Sequence, residues 1–346
     1  MFEMKKIKNN GLTIVDFFCG AGIGAYGIKQ AGFKTIFAFD YSKHAVNSYK
    51  FNYPDHNAQV LDAKKIKFED IPYGDVYVGG FPCQPFSISG KNLGEHDPDK
   101  GNLGKIMCDF IINKKPKAFM LENVKGLTNK RNIGFLRDLI SYLETFYTVS
   151  FEVVNCSEYG VPQKRERVFI IGIRKDIGAK FIFPERTKKV YSIIDAIGDL
   201  PKKPDNVNNH YDHKSYKLRK DEIPYIDKIP VGGNWKNLPI DDQKAFMKKG
   251  FYSGGGRTGA LHKVDPHKPA KTILSTPMGK ATAQILDWGI GDPRRYTIRE
   301  SLRLQTVPDD FSFPDTIPIS HQYERCSGIP SLVAYIFMKE IANLIK

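Results

Sequence analysis

Between about residues 13 and 175, short apolar runs alternate with stretches of helical spacing, and this alternation constrains the fold of the chain more than any other feature. Thr13-Ile14-Val15-Asp16-Phe17-Phe18 reads as a strand, followed by a glycine-rich turn and a helix to about Gln30. Residues 35–39 form a second strand signal, with a helix over 42–51 behind it. Residues 75–79 and 117–121 look like further buried strands, and 132–146 has helical spacing. The last strong strand signals are 151–155 and 167–173. Strands alternating with helices in this way predict a parallel or mostly parallel sheet with helices on both faces, a doubly wound α/β fold.

The character changes after about residue 185. Residues 186–275 are rich in Pro, Gly, Asn and Lys, and show little periodicity. They hold 18 Lys and Arg against 10 Asp and Glu, a net of +8 out of +14 for the whole chain of 346 residues. Helical patterning returns at 297–304 and 331–344. The expected organisation is an α/β domain over 1–185, a smaller irregular basic domain over 186–275, and a return to the first domain over 276–346. The last helix is expected to pack back on the first domain.

The charge balance points to an anionic partner, nucleic acid first and an acidic membrane surface second. No apolar run approaches the roughly 18 residues of a membrane helix. The lysine-bearing residues 1–10 lack the apolar stretch of a secretory signal. The five cysteines (19, 83, 108, 156 and 326) are widely spaced, odd in number and without a CxxC pair. A disulfide framework or structural zinc site is therefore not expected, and a reducing cytoplasm is.

Four stretches carry chemistry. Asp16-Phe17-Phe18-Cys19-Gly20-Ala21-Gly22-Ile23-Gly24 follows a strand and opens a helix, and glycines there let a backbone approach a ligand closely. Asp40 ends the next strand, where an acid can accept hydrogen bonds from a ribose, and Tyr41 beside it can lie against an adenine. These residues suit an adenosine-containing cofactor and leave NAD and S-adenosylmethionine both open. Gly79-Gly80-Phe81-Pro82-Cys83-Gln84-Pro85-Phe86-Ser87 lies beyond another strand, at the carboxyl edge of the sheet where such folds bind ligands. Its prolines stiffen the loop and aim the Cys83 thiol, which reads as a nucleophile. Leu121-Glu122-Asn123-Val124 reaches the same edge with an acid and an amide that can orient it or a substrate. In Gln163-Lys164-Arg165-Glu166-Arg167, the two arginines alternate and can point to the same side.

From Asp16 to about Phe313, this order of motifs resembles the DNA cytosine-5 methyltransferases in their compact bacterial or phage form. GlyPheProCysGln, then GluAsnVal, then GlnLysArgGluArg is a highly specific combination. The resemblance implies the S-adenosylmethionine-dependent methyltransferase type of sheet, with residues 186–275 as a DNA target-recognition domain. It makes Cys83 the nucleophile and Glu122 the acid that holds the cytosine ring nitrogen. Arg165 becomes the arginine at a flipped base, with Asn123 and Arg167 in support. It matches Phe18, Asp40 and Tyr41 to cofactor positions, with Gly20, Gly22, Gly24 and Pro82 around them, and Asp62 to the acid that reads the adenine amino group. Thr272-Ile273-Leu274 looks like the signature ending the recognition region. Candidate DNA contacts are Gln84, Ser87, Arg257 and Thr272. The segment from Arg299-Glu300 to Asp310-Phe311 looks like a motif with a mostly structural role.

One stretch departs from the family. Where the last motif usually reads Gly-Asn-Ala-Val-Pro, this chain has Cys326-Ser327-Gly328-Ile329-Pro330. Ser327 occupies the nearest register to the missing Asn, and weaker cofactor contact is expected there. The implied enzyme transfers a methyl group from S-adenosylmethionine to carbon 5 of a flipped cytosine in duplex DNA, without a metal. It is expected to be a cytoplasmic monomer, with a cognate restriction endonuclease as a partner in the same system. A tRNA-methylating relative, a non-enzymatic DNA-binding relative and an NAD-dependent oxidoreductase are the rival readings. Phe81 in place of a second proline argues against the first, the intact Cys83, Glu122 and Arg165 against the second, and the basic domain against the third.

Overall fold

The computed structural model describes residues 4–5, 7–82, 103–204, 213–252, 259–276, 278–279, 282 and 284–346. Cys83, Gln84, Ser87 and Arg257 lie outside the described residues. In chain order the first half forms β1 (Thr13–Phe17), α1 (Ile23–Gln30), β2 (Lys34–Asp40), α2 (Lys43–Asn52), β3 (Ala58–Val60), β4 (Val76–Gly79), α3 (Leu103–Lys114), β5 (Ala118–Val124), α4 (Ile133–Leu143), β6 (Tyr147–Asn155), β7 (Gln163–Lys164) and β8 (Glu166–Arg174). Seven of these strands make one sheet in the order β3-β2-β1-β4-β5-β8-β6. The pairs from β3 to β5 are parallel. β8 runs antiparallel to both β5 and β6.

Side-chain alternation explains why the sheet is covered on both faces. Ile14, Val76, Val78 and Met120 point to one side, where they pack with α1 and α10 (Ser331–Ile345). Val15, Phe17, Tyr77, Phe119 and Leu121 point to the other and meet α3 and α4. Strands buried on both faces read as continuous apolar runs, which is what made them visible in the sequence. Strand order reverses between β1 and β4, so the chain leaves these neighbouring strands in opposite directions. A crevice forms at their carboxyl ends, the place where open α/β sheets bind ligands.

The rest of the chain forms α5 (Ile193–Ile197), α6 (Ile223–Ile226), α7 (Ile240–Met247), β9 (His262–Lys263), β10 (Ala270–Lys271), β11 (Gln284–Ile285), α8 (Ile298–Arg303), α9 (Ile319–Arg325) and α10. Ile226, Ile229, Trp235, Leu238, Phe246, Leu261 and Ile285 build a small core of their own. By contrast, Ile193, Ala196 and Ile197 of α5 join Ala270, Ile273 and Leu302 in a cluster that also holds Ala21, Ile23 and Tyr49. The basic segment therefore begins and ends against the large domain.

The stretch from 294 to 311 is a buried polar frame. Thr297 and Glu300 cap α8 reciprocally. Arg294 grips Glu300 with two hydrogen bonds of 2.7 Å. Arg303 ties to Asp309 and Asp199, and Arg299 donates to the Pro308 carbonyl at 3.0 Å. The Arg295–Glu222 pair, at 2.7 Å and with both side chains essentially inaccessible, fastens α6 to this frame. Buried charges are tolerated when paired and hydrogen-bonded in this way.

Candidate active site

The crevice beyond β1 and β4 is a cavity of about 240 Å3. One wall is the turn after β1. Phe18 and Gly20 there take φ of 56° and 57°, and Gly22 takes 87° at the start of α1. A side chain at Gly22 would be strained by its φ and would also collide with the Tyr53 ring, whose hydroxyl donates to the Gly22 carbonyl at 2.8 Å. Asp40, at the end of β2, locks the turn from below. One of its oxygens accepts the Gly20 N–H at 3.0 Å and the other the Ser42 N–H at 2.8 Å.

Asp40, Tyr41 and Asp62 do not line the cavity but flank it along the same sheet edge. The Leu61 N–H donates to the Asp40 carbonyl at 3.0 Å, which sets Asp62 beside β2. The Tyr41 ring is 78% exposed, a free flat surface for stacking. Asp16, within β1, faces the cavity although only 6% of it is exposed. Burial, and next the nearby charge of Asp40, push its carboxyl up to about 8. In sequence Asp16 is visible only as the start of a motif. The available signal was an acid inside an otherwise apolar strand. An acid that a cation would ionise, a glycine turn and an exposed aromatic ring together fit a positively charged adenosine cofactor.

The opposite wall carries Gly80, Phe81, Pro82, Glu122, Arg165 and Arg167. Strand pairing explains their convergence. Glu122 on β5 is opposite Phe169 on β8, so Arg167, two residues back, shares its face on the diagonal. Arg167 Nε lies 2.9 Å from Glu122 Oε1, and Arg165 Nη2 lies 3.8 Å from the same oxygen. Arg165, two residues before Arg167, points to the same side, as the alternation in sequence suggested. All three side chains are largely buried, at 12% exposure or thereabouts and less. Gly80 leaves room for the carboxylate, since a Cβ there would come within 3.1 Å of Glu122 Oε2.

Asn123 turns away from the cavity. It is 1% exposed, and its amide donates to the Phe81 carbonyl at 3.2 Å. Its geometry pins the residue that precedes Pro82. The Thr272 hydroxyl donates to the Lys164 carbonyl at 3.0 Å, and the Ile273 N–H donates to Gln163 Oε1 at 2.8 Å. Together with the parallel pairing of β10 with β7, these bonds strap the end of the basic segment onto the arginine strand. Ser327, Gly328 and Ile329 close the cavity from the C-terminal side. Arg325 donates to the Ser42 hydroxyl at 2.8 Å, and His321 stacks on His44 with ring centroids 4.2 Å apart, so α9 is clamped to the start of α2. Among the described residues no cluster of three metal-ligating side chains occurs, and no helix is long and apolar enough to cross a membrane.

A family model described as C-5 cytosine-specific DNA methylase matches residues 12–343. The chain is 34% identical to a Type II methyltransferase of Escherichia coli, M.Eco47II, over 98% of this chain and 81% of that protein. It is 36% identical to M.PspPI, a Type II methyltransferase of a Psychrobacter species, over 91% of this chain and 75% of that protein. The solved structure of the S. pombe Dnmt2 methyltransferase superposes with a TM-score of 0.66 at 14% identity, covering 96% of this chain and 98% of that one, a likeness of fold.

Proposed function

The chain belongs to the C-5 cytosine-specific DNA methylases and is a DNA (cytosine-5-)-methyltransferase; from that premise we propose that it methylates a cytosine flipped out of duplex DNA, through a covalent bond to Cys83. The observation that carries this reading is the Glu122–Arg165–Arg167 cluster, which shares one cavity with the glycine turn. S-adenosylmethionine, the donor implied by the family, supplies an electrophilic methyl group on a sulfonium. Phe18 and the Gly20–Gly24 turn would hold it beside Asp16, with Asp40, Tyr41 and Asp62 at its adenosine end.

Cytosine carbon 5 is a poor nucleophile, so the ring must first gain electrons. The Cys83 thiolate adds to carbon 6, and Glu122 stabilises the resulting enamine by sharing a proton with ring nitrogen 3. Carbon 5 then takes the methyl group, and the donor sulfur keeps the bonding pair as a neutral thioether. Carbon 5 afterwards gives its proton to solvent, and the freed electron pair expels Cys83 from carbon 6 as a thiolate. A free thiol, with a pKa near 8.5, is mostly protonated at neutral pH, so the thiol must give up its proton before it adds to carbon 6. Asn123 anchors Phe81, two residues before the proposed nucleophile. The target atoms cannot be reached inside a duplex, and flipping costs about a few kcal/mol.

In the same proposal, residues 186–275 are the recognition module between catalytic segments 1–185 and 276–346. Their basic residues offset the flipping cost through phosphate contacts, while loops read base edges, with Gln84, Ser87, Arg257 and Thr272 as candidates. The protein acts as a cytoplasmic monomer in a restriction–modification system, alongside a cognate endonuclease it does not touch. The test is transfer of a tritiated methyl group to duplex DNA and to tRNA, with methylome sequencing of a host expressing the chain. Label in DNA at one short sequence context is expected. Label in tRNA alone would contradict the reading.

A further inference from the structure

The geometry points to Ser327 as a positioning residue for Arg165, so that the departure from the usual last motif acts on the methyl-transfer step through the guanidinium and not only on the cofactor. This inference rests on the proposed function. Arg165 Nη1 donates to the Ser327 hydroxyl at 3.4 Å and to the Ile273 carbonyl at 3.5 Å, while Nη2 faces Glu122 Oε1 at 3.8 Å. One guanidinium thus meets three parts of the chain: the acid on β5, the end of the basic segment, and the closing stretch after α9. Its side chain is 4% exposed, so water cannot readily replace a lost partner.

The chemistry of the substitution supports the assignment. An asparagine amide offers an acceptor and a donor from one group. A serine hydroxyl does so on a shorter stem, accepting from Arg165 while its own O–H remains available to the cavity it lines. The clamp of α9 onto α2 through Arg325–Ser42 and His321–His44 fixes the height at which Ser327 enters. Arg165 and Arg167 share the Glu122 oxygen, so a guanidinium released from Ser327 changes the field at the group that must handle the ring-nitrogen proton. An effect on the rate at saturating cofactor follows, which a residue serving only the cofactor would not give.

The test is single-turnover transfer of a tritiated methyl group at saturating S-adenosylmethionine, on duplex DNA carrying the target found by methylome sequencing. S-adenosylhomocysteine affinity is measured by calorimetry on the same preparations. Ser327→Ala is expected to slow transfer about 2- to 13-fold, the span of one net hydrogen bond. Its cofactor-product affinity should stay within about 2-fold, and Ser327→Thr should restore the rate. Should the alanine variant fail to fold, Ser327→Cys, close in shape but a weak acceptor, is read in the same way. An unchanged saturating rate, with or without a loss of affinity, overturns the inference, as does a slow threonine variant. Wild-type protein that transfers no methyl group to DNA overturns the functional reading, and this inference with it.

Discussion

Asp16 shows how one residue can record the nature of a ligand. Its carboxyl is buried beside a cavity, near a second acid, and is raised to about 8. An unfolded aspartate titrates near 3.8 to 3.9. Between those values the folded protein holds one more proton than the unfolded chain, so this group makes stability fall as pH rises. The fall is at most about 1.4 kcal/mol per pH unit and ceases above the folded value. Asp16→Asn should therefore flatten the decline between pH 5 and 8, measured by denaturant unfolding across that range. Parallel curves for the two proteins would contradict the assignment. Glu122 is legible in sequence because GluAsnVal comes at the end of an apolar strand signal. Its pairing with Arg167 at 2.9 Å is not, because that contact joins residues 45 apart and depends on the register of β5 against β8.

The doubly wound sheet was legible at the scale of elements because its parallel strands are buried on both faces and announce themselves as apolar runs. The reversed direction of β8 was not legible, since an apolar run carries no sign of its direction. Of the predicted helices, 42–51 forms as Lys43–Asn52 with Ser42 as its cap, and 331–344 as Ser331–Ile345. The sequence carries no clear signal for α3, since residues 80–102 before it are rich in proline and glycine and offer no periodic pattern to extend. Composition alone groups α5 with the basic segment, whereas its Ile193, Ala196 and Ile197 pack into the cluster around Tyr49 and Leu302. The return of α10 onto α1 depends on Gly27. A Cβ there would strike the Ser331 carbonyl and the Tyr335 N–H, both rigid helix backbone. Gly27→Ala should destabilise the protein by about 1–3 kcal/mol, despite the better helix propensity of alanine, as read by equilibrium unfolding. A stability equal to or above that of the wild type would show that the two helices can separate without loss.

Residues 186–275 hold +8 of the net charge of +14, more than half in about a quarter of the chain. That charge was visible in composition, but no code maps loop residues of this kind to bases, so the target sequence was not. Lys249, exposed just after α7, should contribute affinity without specificity. Lys249→Ala should reduce the slope of log K against log salt by about 1 and leave the methylated sequence unchanged. A changed target in methylome sequencing would mean instead that this residue reads bases. Cys83 stands at the centre of the account, one residue beyond Pro82 on the cavity wall. Its role is tested most directly by incubating the protein and S-adenosylmethionine with target duplex in which 5-fluorocytosine replaces cytosine. Fluorine cannot leave carbon 5 as a proton does, so a protein–DNA adduct should accumulate and survive denaturation. Peptide mass mapping should place it on Cys83, and Cys83→Ser should bind the duplex without forming it. An adduct on another residue, or normal methylation by Cys83→Ser, would contradict the account.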